Sequence, residues 1–459
     1  MADVALEAPN NGSAENRGDG SRSGRAQRLA LVAIALAFVV ARIAVIAGRP
    51  AVASNDTPSY MVFGWWGKVR FPTVPALYAL LGRSHYAIVW VQCVVSIVAW
   101  LAVAFLCASV RRAARARVFV VAALLILGAT NQVAGWDLAL LSESLSISLT
   151  VLLLGFTWRL LQKTTWPLIA ATAMLFVLWE FCRQAHAYVG AMYAIGIGLL
   201  VLRRHAERKM WGVLCVWCLC FTAIGSAAST ANADIRFGLL SRVVCVRVFP
   251  VPARLQWFQA HGMPNTTFVP SRDQLTCIRQ SEHDQRFLAW LRGPGYPIYS
   301  KYVRTHPAYV ARGILERSTL VALIAGPRVP SARSVLPWPL TDLIWPNSLS
   351  RGISIGCLWV MIGSASYARS LRRRQSHGRG LLACSFVAAS VLPQLIIVWI
   401  GLPAPFQRQM VVVSVVLRFA MIMTVGALND GARPGHRLVR HPRDAHGSGD
   451  SFLTLREGT

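Results

Sequence analysis

Charge is scarce in this 459-residue chain and acidic charge scarcer still: charged residues make up 14%, with 19 acidic against 47 basic side chains. Hydrophobic residues reach 55% and the mean hydropathy is +0.47, which leaves too little polar surface to keep a soluble protein of this size wet. Lipid must therefore be part of the solvent. A formal charge of +28 also suits nucleic-acid binding, but the Arg clusters fall in short gaps between long apolar runs and are not interleaved with aromatics on one polar face. A Walker loop, a Gly-rich dinucleotide turn, a zinc spacing of Cys and His, and a Gly-x-Ser-x-Gly elbow are all missing. Glu282-His283-Asp284 comes nearest to a metal-binding acidic pair, and its signal is weak.

Long apolar runs are what the chain has in abundance. Ten windows approach the roughly 20 residues that cross about 30 Å of hydrocarbon: 29–48, 86–109, 118–135, 138–160, 165–182, 187–203, 210–229, 347–369, 381–402 and 410–428. Basic clusters at Arg22 to Arg28, Arg111 to Arg117, Arg159 with Lys163, Arg203 to Lys209 and Arg369 to Arg379 fall on every second connection. The positive-inside rule then places both termini in the cytoplasm of a cell inner (plasma) membrane protein.

The expected organisation is a disordered cytoplasmic tail over 1–28, a membrane module of about seven helices over 29–229 with a first outer loop at 49–85, and an extracytoplasmic domain of mixed structure over 230–346. About three further helices over 347–428 and a second cytoplasmic tail over 429–459 complete it. The fold class is all-α and polytopic. Cys245 and Cys277 lie in the soluble segment, where an oxidising exterior permits a disulfide; sequence leaves them paired or free. Tyr309–Gly326 reads as an amphipathic surface helix.

Charges near the membrane are informative because each needs a partner or a wet cavity. Asn55-Asp56-Thr57-Pro58-Ser59-Tyr60, followed by Trp65, Trp66, Lys68 and Arg70, reads either as an Asx turn before an aromatic belt or as a carboxylate poised to take a proton from a hydroxyl. Asp137 reads as a helix N-cap. Glu143 reads as an acid one to two turns into a span, sharing a face with Ser142, Ser146 and Thr150. Glu180 and Arg183 are three apart and suited to pair; otherwise Arg183 and His186 present cations to an anionic head group. Arg408 opens the last span and Arg418 lies inside it, where it needs a partner.

In their order along the chain, these residues, together with Phe71-Pro72-Thr73-Val74-Pro75 and His306-Pro307, resemble the GT-C superfamily of membrane glycosyltransferases, which includes protein mannosyltransferases and lipid A aminoarabinose transferases. The resemblance covers most of 29–428. It implies a polyprenyl-phosphate sugar donor, a catalytic base at Asp56 assisted by Asp137 or Glu143, and a lipid-phosphate or substrate site drawn from Tyr60, Lys68, Arg70, Arg183, His186 and Arg408. The acceptor is unspecified. No cofactor is obligatory, and a divalent cation on the phosphate is allowed. Gln184 and Ala404-Pro405-Phe406 stand where relatives carry acidic residues, which leaves open a changed substrate or lost activity. A transporter or flippase of lipid-linked sugars and an inactive envelope scaffold are the competing classes; the first should show internal repeats or helices broken near the midplane.

Overall fold

The computed structural model describes residues 17–63, 70–111, 113–203, 207–231, 233–266, 277, 280, 283–329, 331–358, 361, 378–401 and 406–431. Its helices are α1 (Arg17–Ile46), α2 (Thr57–Met61), α3 (Thr73–Leu80), α4 (His85–Ser109), α5 (Ala114–Ala129), α6 (Asn131–Ala134), α7 (Glu143–Gln162), α8 (Trp166–Glu180), α9 (Gln184–Arg203) and α10 (Arg208–Ala231). An inserted group follows: α11 (Ala233–Val243), α12 (Pro252–Ala260), α13 (Gln285–Arg292), α14 (Gly295–Thr305), α15 (Pro307–Leu315), α16 (Arg317–Ala325) and α17 (Trp338–Ile344). Leu349–Leu358 (α18), Gly378–Gly401 (α19) and Phe406–Gly431 (α20) complete the chain. Among the described residues there is no strand beyond an isolated bridge between Val52 and Ala139, so the elements described in the segment expected to be of mixed structure are helices.

Six helices are long and apolar enough to cross a membrane: α1, α4, α7, α9, α10 and α20. A seventh counts if α5 and the segment Asn131–Leu138, bent by 57°, form one span. These are counts among the described residues, against an expectation of about ten windows, two of which, 347–369 and 381–402, lie partly outside them. The window at 165–182 becomes α8, only 15 residues long, and the windows at 347–369 and 381–402 contribute Leu349–Leu358 and Ser390–Ile400 within the described residues. Leu29, Val32, Leu36 and Val40 of α1 are exposed, as lipid-facing side chains of a span are, while Phe38, Arg42 and Val45 turn inward.

Proline opens several helices, at Pro58, Pro167, Pro252, Pro307 and Pro339, where its missing N–H removes no intrahelical bond. Thr130 breaks α5 from α6 with an extended ψ of 148°. Its hydroxyl donates to Leu127 O at 2.7 Å and accepts from Trp345 Nε1 at 3.1 Å. Gly326, at φ +65°, ends α16 beneath the Trp345 ring, where a Cβ would collide.

Two apolar clusters form. One joins α1, α4, α5, α7 and α8 with part of α20 and recruits Val329, Ala332 and Trp345 from the end of the insert. The other joins α11 to α16 with Val391, Leu395 and Trp399 of α19 and Met410 and Val413 of α20. Cys245 and Cys277 are disulfide-bonded within it, with Cα atoms 5.9 Å apart. Tyr309–Gly326 is not one surface helix: it divides at Glu316 into α15 and α16, and Thr319 and Ala322 of α16 are buried.

Candidate functional site

The loop after α1 is stitched to the extended segment before α7. Val52 N donates to Leu138 O at 2.7 Å, Leu140 N donates to Val52 O at 3.0 Å, and Thr57 Oγ1 donates to Leu140 O at 3.2 Å. Tyr78 OH donates to Leu141 O at 3.0 Å, and Gln92 Nε2 reaches Asp137 O and Ala139 O. These bonds hold the chain out of helix from Ala139, which is extended, to Ser142, which is the N-cap, so α7 begins at Glu143 and not at residue 138. Glu143 is then the first residue of its helix, where the positive end of the dipole favours a carboxylate.

Asp56 sits half-buried just ahead of α2. Its Oδ1 lies 3.1 Å from Arg70 Nη2, and its Oδ2 accepts a hydrogen bond from Arg408 Nη2 at 2.7 Å. Arg408 also brings its Nε within 2.8 Å of Glu143 Oε1, an ion pair whose N–H is not aligned for a hydrogen bond. Arg183 Nη2 donates to the same Glu143 oxygen at 3.4 Å. Arg408 therefore bridges two carboxylates that are 87 positions apart in sequence and on separate elements. Arg70 is held by Ser59 Oγ at 2.8 Å and lies over the Tyr60 ring at 4.7 Å, while Tyr60 OH meets Ser142 Oγ at 3.1 Å.

Three guanidiniums face two carboxylates, so the cluster carries one surplus cation. Side-chain exposure falls from 24% at Arg70 and 21% at Asp56 to 14% at Arg408, 7% at Arg183 and 0% at Glu143, giving the cluster an open end and a sealed one. Burial alone would push the Asp56 carboxyl up, but Arg408 and Arg70, with Arg242 of α11 adding to them, hold it below the ordinary carboxylate range. Burial pushes the Tyr60 phenol up, so it stays a neutral hydrogen-bonding group.

Several expectations need correction. Asp137 is not an N-cap and does not join this cluster: it is paired with Arg42 of α1 at 1% exposure and accepts from Ser144 Oγ at 2.6 Å. Arg42 also bonds Ser96 and donates to Gly128 O at 2.7 Å, a carbonyl left free where α5 ends. Glu180 does not pair with Arg183, because α8 ends at Glu180 and the chain turns before Arg183. Both Glu180 oxygens are buried without a hydrogen-bond partner among the described residues, against Gly190, Gly225 and Thr222. His186 does not lie at the surface: at 4% exposure it stacks on Trp179 at 4.3 Å, its Nδ1 donates to Trp179 O at 2.5 Å, and its Nε2 meets Ser146 Oγ at 3.0 Å. Arg418 finds backbone carbonyls and a ring instead of an acid: Ile344 O at 2.7 Å, Ser414 O at 3.0 Å, Leu323 O, Ile324 O and the Trp345 face at 3.6 Å. Asp284 caps α13 through Phe287 N at 3.0 Å. Lys68 and Glu282 lie outside the described residues.

Arg42 and Arg242 escaped the sequence reading. An Arg inside the first apolar window, in a chain so short of acids, was a signal for a buried pair. Nothing in the sequence marked Arg242.

A divalent cation does not fit this donor set. Both Asp56 oxygens and Glu143 Oε1 already face guanidiniums, and no group of three or more His, Cys, Asp or Glu able to hold a metal gathers among the described residues.

No family model and no curated protein matches the chain. Among solved structures, the crystal structure of the apo form of an oligosaccharyltransferase from Archaeoglobus fulgidus is similar at a TM-score of 0.42 and 14% identity, over 86% of this chain and 50% of that one. The chain thus spans about half the length of that protein, and a likeness of this size decides nothing about the chemistry of individual residues.

Proposed function

We propose that the chain is a membrane glycosyltransferase that moves a sugar from a polyprenyl-phosphate donor to an acceptor hydroxyl on the extracytoplasmic face. The observation that carries this reading is a half-open carboxylate, Asp56, ringed by a surplus of arginine at the edge of a lipid-spanning bundle. Arginine forks match phosphate oxygens and keep their charge at any working pH.

The acceptor oxygen attacks the anomeric carbon and the sugar–phosphate C–O bond breaks. The electron pair leaves on the phosphate and the hydroxyl proton passes to Asp56, with inversion at the sugar. Charge grows on the leaving phosphate, where Arg70, Arg408 and Arg183 offset it. The same arginines hold Asp56 in the free protein and weaken it as a base. Donor phosphate shares their charge without moving Arg408 off the two acids, so Asp56 gains basicity when the sugar is in place. Tyr60 and Ser142 order the wall beside it, and His186 positions the first turns of α7 through Ser146.

A carrier of lipid-linked sugars would use a broken helix, and α5–α6 is one. Its break is filled by Arg42 and Trp345, which favours transfer over transport. The test is transfer of labelled sugar from polyprenyl phosphate to membrane acceptors by the reconstituted protein. Loss of transfer in a folded Asp56→Asn protein is expected; full transfer removes Asp56 from the mechanism.

A further inference from the structure

We infer that Arg408 fills the place between the two acids that a divalent cation would take, so that sugar transfer at this site runs without metal. The inference rests on the transferase reading above and adds to it the source of positive charge.

The geometry is that of a bridge. One face of the Arg408 fork meets Asp56 Oδ2 through Nη2, and Nε lies against Glu143 Oε1. Arg70 takes the other Asp56 oxygen and Arg183 shares Glu143 Oε1. Of the four carboxylate oxygens, Glu143 Oε2 alone has no partner among the described residues, and it lies on a fully buried side chain. One sealed oxygen cannot supply the several oxygens that Mg²⁺ or Mn²⁺ requires. The electrostatics agree: a divalent ion added to three guanidiniums and two carboxylates would raise an existing surplus of positive charge in a poorly solvated place.

What is left of Arg408 suits a phosphate. Among the described residues its Nη1 has no partner, and the side chain keeps 14% exposure while its neighbour Glu143 has none. The guanidinium is thus anchored from below by two acids and free on one nitrogen, a fixed cation with a donor to spare. A metal ion would have to displace it before binding the acids.

The experiment uses the full chain in zwitterionic phosphatidylcholine nanodiscs. Mn²⁺ is titrated in and the free-ion signal is followed by electron paramagnetic resonance, beside transfer assays with EDTA or Mn²⁺. The expected result is a free-Mn²⁺ signal that rises from the first addition alike in wild type and Asp56→Asn, with transfer unchanged by EDTA. Arg408→Gln should lower kcat by ~10²–10³-fold, and Arg408→Lys should recover part of that loss, since a point charge serves the phosphate but cannot bridge both acids. A stoichiometric Mn²⁺ site that wild type has and Asp56→Asn lacks overturns the inference whether or not sugar moves. EDTA-sensitive transfer restored by Mn²⁺, or an Arg408→Gln protein with full kcat, overturns it as well. If wild type transfers no sugar under any condition, the transferase reading falls, and the Mn²⁺ titration still decides whether the acids are open to metal.

Discussion

Two networks of buried charge stand side by side at the start of α7 and differ in balance and access. Around Asp137 one arginine meets one carboxylate, at 0% and 1% exposure, and Ser96, Ser144 and Gly128 O occupy further polar atoms. Around Asp56 three arginines meet two carboxylates, and exposure climbs to 24%. A matched, sealed pair ties α1 to the α5–α6 break and offers nothing to a ligand. An unmatched, half-open cluster keeps a cation to spare and a route to it. Sequence offers both acids as candidates, Asp56 as base and Asp137 as its helper; balance and access separate structure from site.

The sharpest test exchanges the expected phenotypes. Asp56→Asn should lower transfer by ~10²–10⁴-fold, the range of a lost general base, with little change in melting temperature. Asp137→Ala should do the reverse, destabilising by about 3–5 kcal/mol because Arg42 is left buried and uncompensated, while transfer per folded molecule holds. Thermal melts in detergent beside the transfer assay measure both. Equal damage to activity and stability at both positions would erase the distinction.

Removing both partners should sharpen it. Arg42→Met with Asp137→Leu replaces a sealed pair by apolar volume and should recover most of the loss from Asp137→Ala, an effect of about 1–4 kcal/mol. Arg408→Met with Glu143→Leu should remain inactive and also melt below wild type, because Arg183 loses its carboxylate and the cluster, unlike the sealed pair, cannot be removed two residues at a time.

Acid offers a smaller effect with a fixed sign. Asp56 is held below the ordinary carboxylate range by its arginines, so its contribution to stability is complete above about pH 4. It is lost as the pH falls further, through the folded-state value, where the carboxyl must protonate. Melts taken downward from neutral pH should show an acid-side drop that Asp56→Asn reduces. Smallest is His186→Gln, which removes a ring stack and one oriented hydrogen bond. A fall in kcat of roughly fivefold, about the worth of one hydrogen bond, with KM unchanged, is expected of a positioning residue.

The spans were legible because an apolar run long enough to cross lipid carries its own signature, as α1, α4, α7, α9, α10 and α20 show. Their lengths and bends were not: the window at 165–182 forms a helix of only 15 residues, and the chain bends by 57° after α5. Asp56, Glu143, Arg183 and Arg408 were singled out as charges costly at a membrane edge, and the fold brings those four together. The pairings were illegible. Three-residue spacing joins Glu180 to Arg183 only on a continuous helix, and the chain turns at Phe181. His186 read as a surface group until the fold set its ring nitrogens against Trp179 O and Ser146.

The two acids and their bridge come from the beginning, the middle and the far end of the chain: position 56, position 143 and position 408. A nascent polypeptide halted before α20 enters the bilayer would hold Asp56 with Arg70 and Glu143 with Arg183, but no bridge from one acid to the other. The proposed site is therefore joined only once α20 packs against the helices made before it.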